Sequence, residues 1–372
     1  MKEYNINDVL RIAKRHNNNK RSYLLVNPLQ GKHLPISPAA ALDMMKTLGD
    51  KVASKYPDTK LVIGFAETAT AIGAVVAASL AEDCIYIHTT REQFSNDNNF
   101  IDFLEEHSHA PEQKLYCGRL NDWLKNTSNV VFVDDELSTG KTLRNIIRQL
   151  KSKYPVLSEK QLVAASIINR LSTENEVLFR AEGICCEYLV KLPEQNFDVA
   201  DITTAAPEIL HSSDEPSEKI CFHKIASLLD PRLGVRIQDY ITKLNLLDDT
   251  ILNLADDSNS ILVLGTEECM LPAIVFGKIL ESHGYDVVTH STTRSPIGIS
   301  RQNDYPITEG YQVRSFYDIN RTTYIYNLKY YDLILIISDT ASWKPEAVGS
   351  LLAAFNIHGY GKVIFIGGNN DV

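Results

Sequence analysis

The chain has 372 residues, 44% hydrophobic and 23% charged, which is more than one typical domain needs and enough for two, each with its own core. Its formal net charge is −10 and it has no long run of Lys and Arg; this argues against a nucleic-acid partner, while small phosphorylated molecules stay compatible because backbone N–H groups and a few cations hold them. The six cysteines form no C-x-x-C pair, Met1 to Lys20 is too polar for a signal peptide, and no apolar run is long enough to cross a bilayer, so the expectation is a cytoplasmic chain with no structural zinc and no membrane partner.

Taken in chain order, Ser37-Pro38 looks like an N-cap followed by Pro at the first helical position, opening a helix to about Tyr56. Leu61-Val62-Ile63 is a short apolar strand ending at Gly64, followed by an Ala-rich helix from about Glu67 to Ala81 and a strand from Cys84 to His88. Val130 to Val133 is wholly apolar. After it, Leu143, Ile146, Ile147 and Leu150 recur at i, i+3, i+4 and i+7, the spacing of one buried helix face. Leu162 to Ile168 and Ile184 to Val190 are further strands. Continuous apolar strands between helices predict an α/β fold with a parallel sheet covered on both faces. From 193 to 219 the chain is polar and aperiodic, which predicts a linker between a first domain at 1–192 and a second at 220–372. The pattern then restarts, with strands at Ile261–Leu264, Asp286–His290, Asp332–Ser338 and Val363–Ile366, and a helix opening at Pro345.

The two halves can be laid over each other. Leu61-Val62-Ile63-Gly64 matches Leu262-Val263-Leu264-Gly265, and His88-Thr89-Thr90-Arg91 matches His290-Ser291-Thr292-Thr293-Arg294 with one insertion. Val133-Asp134-Asp135 falls on Ile337-Ser338-Asp339. Strand–Gly–helix punctuation alone is common to many α/β domains. The shared Thr-Thr-Arg favours a second domain that is a diverged copy of the first, an expectation that rests on strand order.

The chemistry-bearing segment is Asp134-Asp135-Glu136-Leu137-Ser138-Thr139-Gly140-Lys141-Thr142. The strand carries Asp134 and Asp135 to its carboxyl end, where open α/β sheets hold ligands. Two adjacent carboxylates suit the vicinal hydroxyls of a ribose, because ionised carboxylates accept hydrogen bonds. Ser138 to Thr142 present backbone N–H groups and hydroxyls at a helix start, where the dipole favours a phosphate, and Gly140 allows close approach. A Walker A loop would need Gly at position 135, which is Asp. The plainer alternative is that the two acids only cap a buried strand.

This segment resembles the signature of type I phosphoribosyltransferases, and Thr293-Arg294-Ser295-Pro296 resembles the motif of the TRSP domain, found fused behind such a domain in proteins encoded beside tellurite-resistance operons. Asn27-Pro28, Gly31-Lys32-His33 and His107-Ser108-His109-Ala110 are similar to patterns of the same family. The resemblance implies an enzyme with a type I phosphoribosyltransferase-like sheet, which takes 5-phosphoribosyl-1-pyrophosphate (PRPP) and Mg²⁺ to make, or cleave, a nucleotide-like metabolite. It implies Asp134 and Asp135 as catalytic, Ser138, Thr139, Gly140, Lys141 and Thr142 on the 5′-phosphate, and Phe65, Ala66, Glu67, Thr68 and Arg91 on pyrophosphate. Magnesium is then held mainly through PRPP, with Glu67, Asp134 and Asp135 as protein ligands. Arg91 suits pyrophosphate or a structural ion pair equally, and His107 and His109 fall where type I enzymes carry a loop over the site. Type I enzymes are commonly dimers, so a homodimer is expected. The second domain keeps one acid at Asp339 and loses the Thr-Gly turn; Thr266, Glu267, Thr293, Arg294 and Ser295 are its candidate ligand site. A non-catalytic sensor of PRPP or a nucleotide is the alternative reading, and the acceptor is not legible.

Overall fold

The structure is a computed structural model, and it describes residues 2–17, 22–93, 99–103, 113–193, 195–210, 218–225, 228–256, 258–340 and 342–367. The chain forms two compact units: Met1–Ile6, Asp43–Gln195 and Leu229–Thr242 in the first, and Asn7–Leu42, Asn196–Leu228 and Lys243–Val372 in the second. They are interleaved in sequence, unlike the two consecutive stretches predicted. The stretch predicted as a linker contributes a short strand, Glu208–Ile209, to the second unit. It is polar, so it carries no periodic signal, yet its backbone pairs at a sheet edge.

In the first unit β1 (Leu61–Gly64), β2 (Ile85–His88), β3 (Asn129–Leu137), β4 (Gln161–Asn169) and β5 (Ile184–Lys191) form one parallel sheet in the order β2-β1-β3-β4-β5. Val235–Arg236 adds an antiparallel edge beside β2. The helices beside the sheet include α1 (Pro38–Lys55), α2 (Thr70–Ala78) and α3 (Lys141–Lys153). The four apolar positions picked out by spacing, Leu143, Ile146, Ile147 and Leu150, are all buried and join Leu61, Phe132 and Leu162 in one core. Helix α2 is Ala-rich because it packs tightly: a Cβ on its Gly73 would stand 3.1 Å from the Gly64 Cα. The strand carrying the acids runs on to Leu137, four residues past the apolar run, because Asp134, Glu136 and Leu137 keep their pairing to β4.

In the second unit β6 (Ile220–His223), β7 (Ser260–Gly265), β8 (Asp286–Ser291), β9 (Tyr331–Ser338) and β10 (Tyr360–Gly367) form a parallel sheet in the order β8-β7-β9-β10-β6. Helices α4 (Leu271–Ser282) and α5 (Pro345–Asn356) follow β7 and β9. The four-strand order β2-β1-β3-β4 is thus repeated as β8-β7-β9-β10. An antiparallel hairpin interrupts each unit at the same point, Phe100–Phe103 with Gln113–Tyr116 in the first and Gly310–Arg314 with Thr322–Tyr326 in the second. The fifth strand differs: β5 follows β4 in the chain, whereas β6 precedes β7. Two α/β domains, the second consistent with a diverged copy of the first, account for this pattern.

Residues 7–42 pack within the second unit. Arg11–Lys14 and Tyr23–Val26 form an antiparallel pair, Ile36 bridges Thr289, and Arg15 bridges Ile297.

Candidate functional site

The carboxyl edge of the first sheet brings three segments side by side, since β3 neighbours β1 and β1 neighbours β2. After β1, the Phe65 N–H donates to the Val133 carbonyl at 2.9 Å, and the Ala66 N–H to Thr89 Oγ1 at 2.9 Å. Thr89 in turn donates its hydroxyl to Gln113 Oε1 at 2.5 Å and its N–H to the Gly64 carbonyl at 2.9 Å. These bonds hold the Phe65–Thr68 loop against the ends of β2 and β3. The Ala66–Glu67 peptide is cis, and Phe65, Ala66 and Glu67 are buried.

Thr68 Oγ1 donates to Asp135 Oδ1 at 2.8 Å, which ties this loop to the acidic pair. Asp134 Oδ1 accepts from the Asp135 N–H at 2.9 Å. Burial first, then the neighbouring Asp135 charge and a smaller push from Glu136, hold the Asp134 carboxyl well above the usual carboxylate range. The site therefore concentrates negative charge that a cation or hydroxyl donors relieve. The third acid is already engaged. Glu136 Oε1 accepts from Arg170 Nη1 at 2.8 Å, with both side chains largely buried. Arg170 also donates to the Gln195 carbonyl at 2.7 Å.

The turn after β3 enters α3 through Gly140, whose φ of +67° lies in the left-handed region. A Cβ there would stand 2.3 Å from the Phe179 ring. Thr139, Lys141 and Thr142 are exposed and Ser138 is half-buried, so this helix start offers hydroxyls and an ammonium to solvent. Arg91, exposed, follows β2, and the intervening Thr90 exchanges backbone bonds of 2.8 Å with Lys114. The geometry thus gathers Phe65–Thr68, Arg91, Asp134–Asp135 and Ser138–Thr142 along one sheet edge. His107 and His109 lie outside the described residues.

Sequence reasoning passed over Thr89, Gln113 and Arg170. For Thr89 a signal existed, because the repeated Thr-Thr-Arg marks a threonine that makes the same bond twice: Thr292 Oγ1 accepts from the Glu267 N–H at 3.0 Å, as Thr89 Oγ1 does from Ala66. Arg170 had none, since its partner is set by β3–β4 pairing.

The second unit repeats the loop anchors. The Thr266 N–H donates to the Ile337 carbonyl at 3.1 Å, and the Thr292 N–H to the Gly265 carbonyl at 3.1 Å. Thr293 exchanges backbone bonds with Tyr324 as Thr90 does with Lys114. The side chains differ. Thr266 Oγ1 donates to Ser338 Oγ at 2.8 Å, and Tyr317 covers that point, donating its hydroxyl to Asp339. Glu267 is fully buried and bonded to Arg294 at 3.1 Å and Arg321 at 3.0 Å. The Ser295 N–H donates to Thr293 Oγ1 at 3.2 Å. From the amino-terminal segment, the buried Lys32 Nζ donates to the carbonyls of Glu267 at 2.7 Å and Thr292 at 3.0 Å.

Residues 9–189 match the family model described as Phosphoribosyl transferase, and residues 231–355 the model described as TRSP domain C terminus to PRTase_2. No curated protein matches the chain. Among solved structures it is similar to the adenine phosphoribosyltransferase of Leishmania donovani, at 18% identity and a TM-score of 0.37, over 53% of this chain and 84% of that one. The orotate phosphoribosyltransferase of Aeropyrum pernix is similar at 19% identity and a TM-score of 0.33, over 50% and 89%. The adenine phosphoribosyl transferase of Trypanosoma brucei is similar at 15% and 0.35, over 49% and 76%.

Proposed function

The chain belongs to the phosphoribosyltransferases that carry a carboxy-terminal TRSP domain, and from that premise we propose that it transfers a 5-phosphoribosyl group from PRPP, with Mg²⁺, to a small acceptor, or runs the reverse pyrophosphorolysis of a nucleotide. The single observation that carries this reading is the Thr68–Asp135 hydrogen bond of 2.8 Å, which joins the loop proposed for pyrophosphate to the acids proposed for ribose.

Asp134 and Asp135 accept the ribose 2′- and 3′-hydroxyls and stabilise the positive charge that grows at the anomeric carbon. Ser138, Thr139, Gly140, Lys141 and Thr142 hold the 5′-phosphate with backbone N–H groups, hydroxyls and one ammonium. Phe65, Ala66, Glu67 and Thr68 line the pyrophosphate, and Arg91 meets it with a guanidinium fork. As the anomeric C–O bond breaks, its electron pair leaves with pyrophosphate; the acceptor's lone pair forms the new bond.

Among the described residues no three acidic, histidine or cysteine side chains are grouped to hold a metal, so magnesium fits here as an ion carried mainly by PRPP oxygens, beside the adjacent hard carboxylates of Asp134 and Asp135. Bound in that way, with Glu67, Asp134 or Asp135 supplying single oxygens, it would neutralise the leaving diphosphate. The reading carries with it a cytoplasmic setting and the stress-linked role implied by the TRSP resemblance.

The test is a pyrophosphate-release assay with Mg²⁺–PRPP over a panel of acceptors, beside calorimetry of PRPP binding. Replacing Asp134 and Asp135 together by Asn is expected to cut turnover by at least about 100-fold, the scale of removing preorganised charge stabilisation, and to weaken PRPP binding. Full activity in that variant would refute the assignment. Binding without release for every acceptor would favour a sensor.

A further inference from the structure

The two sheets place Ala66 and Glu267 at the same point, each donating its backbone N–H to the first threonine of the Thr-Thr-Arg triplet, at 2.9 and 3.0 Å. Arg91 and Arg294 end those triplets. Where the first unit has a methyl group, the second has a carboxylate. That carboxylate is fully buried and completely engaged: Ser315 Oγ donates to Oε1 at 2.5 Å, while Arg294 Nε and Arg321 Nη1 donate to Oε2 at 3.1 and 3.0 Å. Two guanidinium groups and a hydroxyl converging on one oxyanion is the arrangement by which proteins hold a phosphate or carboxylate ligand.

We propose that Glu267 is the built-in occupant of an oxyanion pocket formed by Arg294, Arg321 and Ser315, and that this pocket, once vacated, takes pyrophosphate or phosphate. The carboxylate is tethered and already desolvated, so a free anion must displace a ligand of very high effective concentration. Glu268 lies 3.9 Å from Arg294 and further offsets its charge. The second unit is therefore a closed copy of an anion site, and the chain has one open anion edge instead of two. The pocket of Arg294, Arg321 and Ser315 is defined within the second unit, whereas its description as a copy of an open anion edge rests on the donor reading of the first.

The experiment is calorimetry of inorganic pyrophosphate on the full chain, wild type against E267A. The expected result is one additional equivalent bound by E267A, lost again in E267A/R294A. Equal stoichiometry in wild type and folded E267A overturns the proposal. Zero equivalents on wild type and one on E267A uphold it while removing the pyrophosphate part of the donor reading. Should E267A unfold because Arg294 and Arg321 lose the carboxylate they share, pyrophosphate is expected to restore its near-ultraviolet circular dichroism and raise its unfolding midpoint by several degrees, since a ligand that binds only the native state stabilises it. No recovery across the titration also overturns the proposal.

Discussion

Individual residues divide into those whose chemistry is visible in the sequence and those whose surroundings create it. Asp134 and Asp135 belong to the first group by their adjacency at a strand end. His33 and His290 belong to the second. Both are fully buried in the second unit; burial first, with nearby Lys32 adding to it, lowers His33 to about 3, and burial lowers His290 to about 4. Among the described residues neither ring nitrogen of His33 has a hydrogen-bond partner. The native rings are thus neutral, whereas in the unfolded chain they gain protons below about 6.5. Stability is full above that pH and falls as the pH drops from 6.5 towards 4, by about 1–2 kcal/mol per histidine at pH 5. The urea midpoint at pH 7 and pH 5 measures this. His33→Leu, which keeps the volume and removes the titrating ring, is expected to flatten the dependence; an unchanged slope would exclude His33 as its source.

Whole elements were legible where the pattern was long or continuous. β3, β4, β7 and β9 are apolar runs buried on both faces, and α3 shows its inner face at helical spacing. The hairpins were not. Phe100–Phe103 and Gln113–Tyr116 are four-residue strands with mixed polarity, so no period develops. The entry to α3 gives an element-scale prediction. Gly140→Ala places a side chain at φ +67° and within 2.3 Å of Phe179. The left-handed conformation costs about 1–2 kcal/mol and overpacking about 1–3 more. Thermal unfolding should fall accordingly, with a raised KM for PRPP as the loop shifts; wild-type stability would show that Phe179 moves aside without cost.

At the scale of the molecule the sequence order of the two families is not the order of the compact units. The phosphoribosyltransferase match begins at residue 9, yet residues 7–42 pack in the second unit through Ile36–Thr289, Arg15–Ile297 and the buried Lys32. The TRSP match begins at residue 231, yet Val235–Arg236 edges the first sheet. A fragment of residues 196–372 therefore lacks Lys32 and a pair of strands, and gives up residues 229–242 to no sheet. It is expected to melt without a cooperative transition, and to gain one when residues 7–42 are supplied as a separate peptide. A sharp transition for the fragment alone would show that the amino-terminal segment is dispensable.

The α/β class, most of the parallel strands, the acidic segment before α3 and the internal repeat are legible in the residues alone, because they depend on local apolar runs and on residue types at fixed spacing. Tertiary structure decided which groups meet: Thr68 with Asp135, Arg170 with Glu136, and Glu267 with Arg294 and Arg321. Each of those pairs joins segments distant in the chain, and only strand register and burial bring such groups within hydrogen-bonding range. For the same reason Thr293-Arg294 was legible as a repeat of Thr90-Arg91, while its arginine's engagement by the protein's own carboxylate was not.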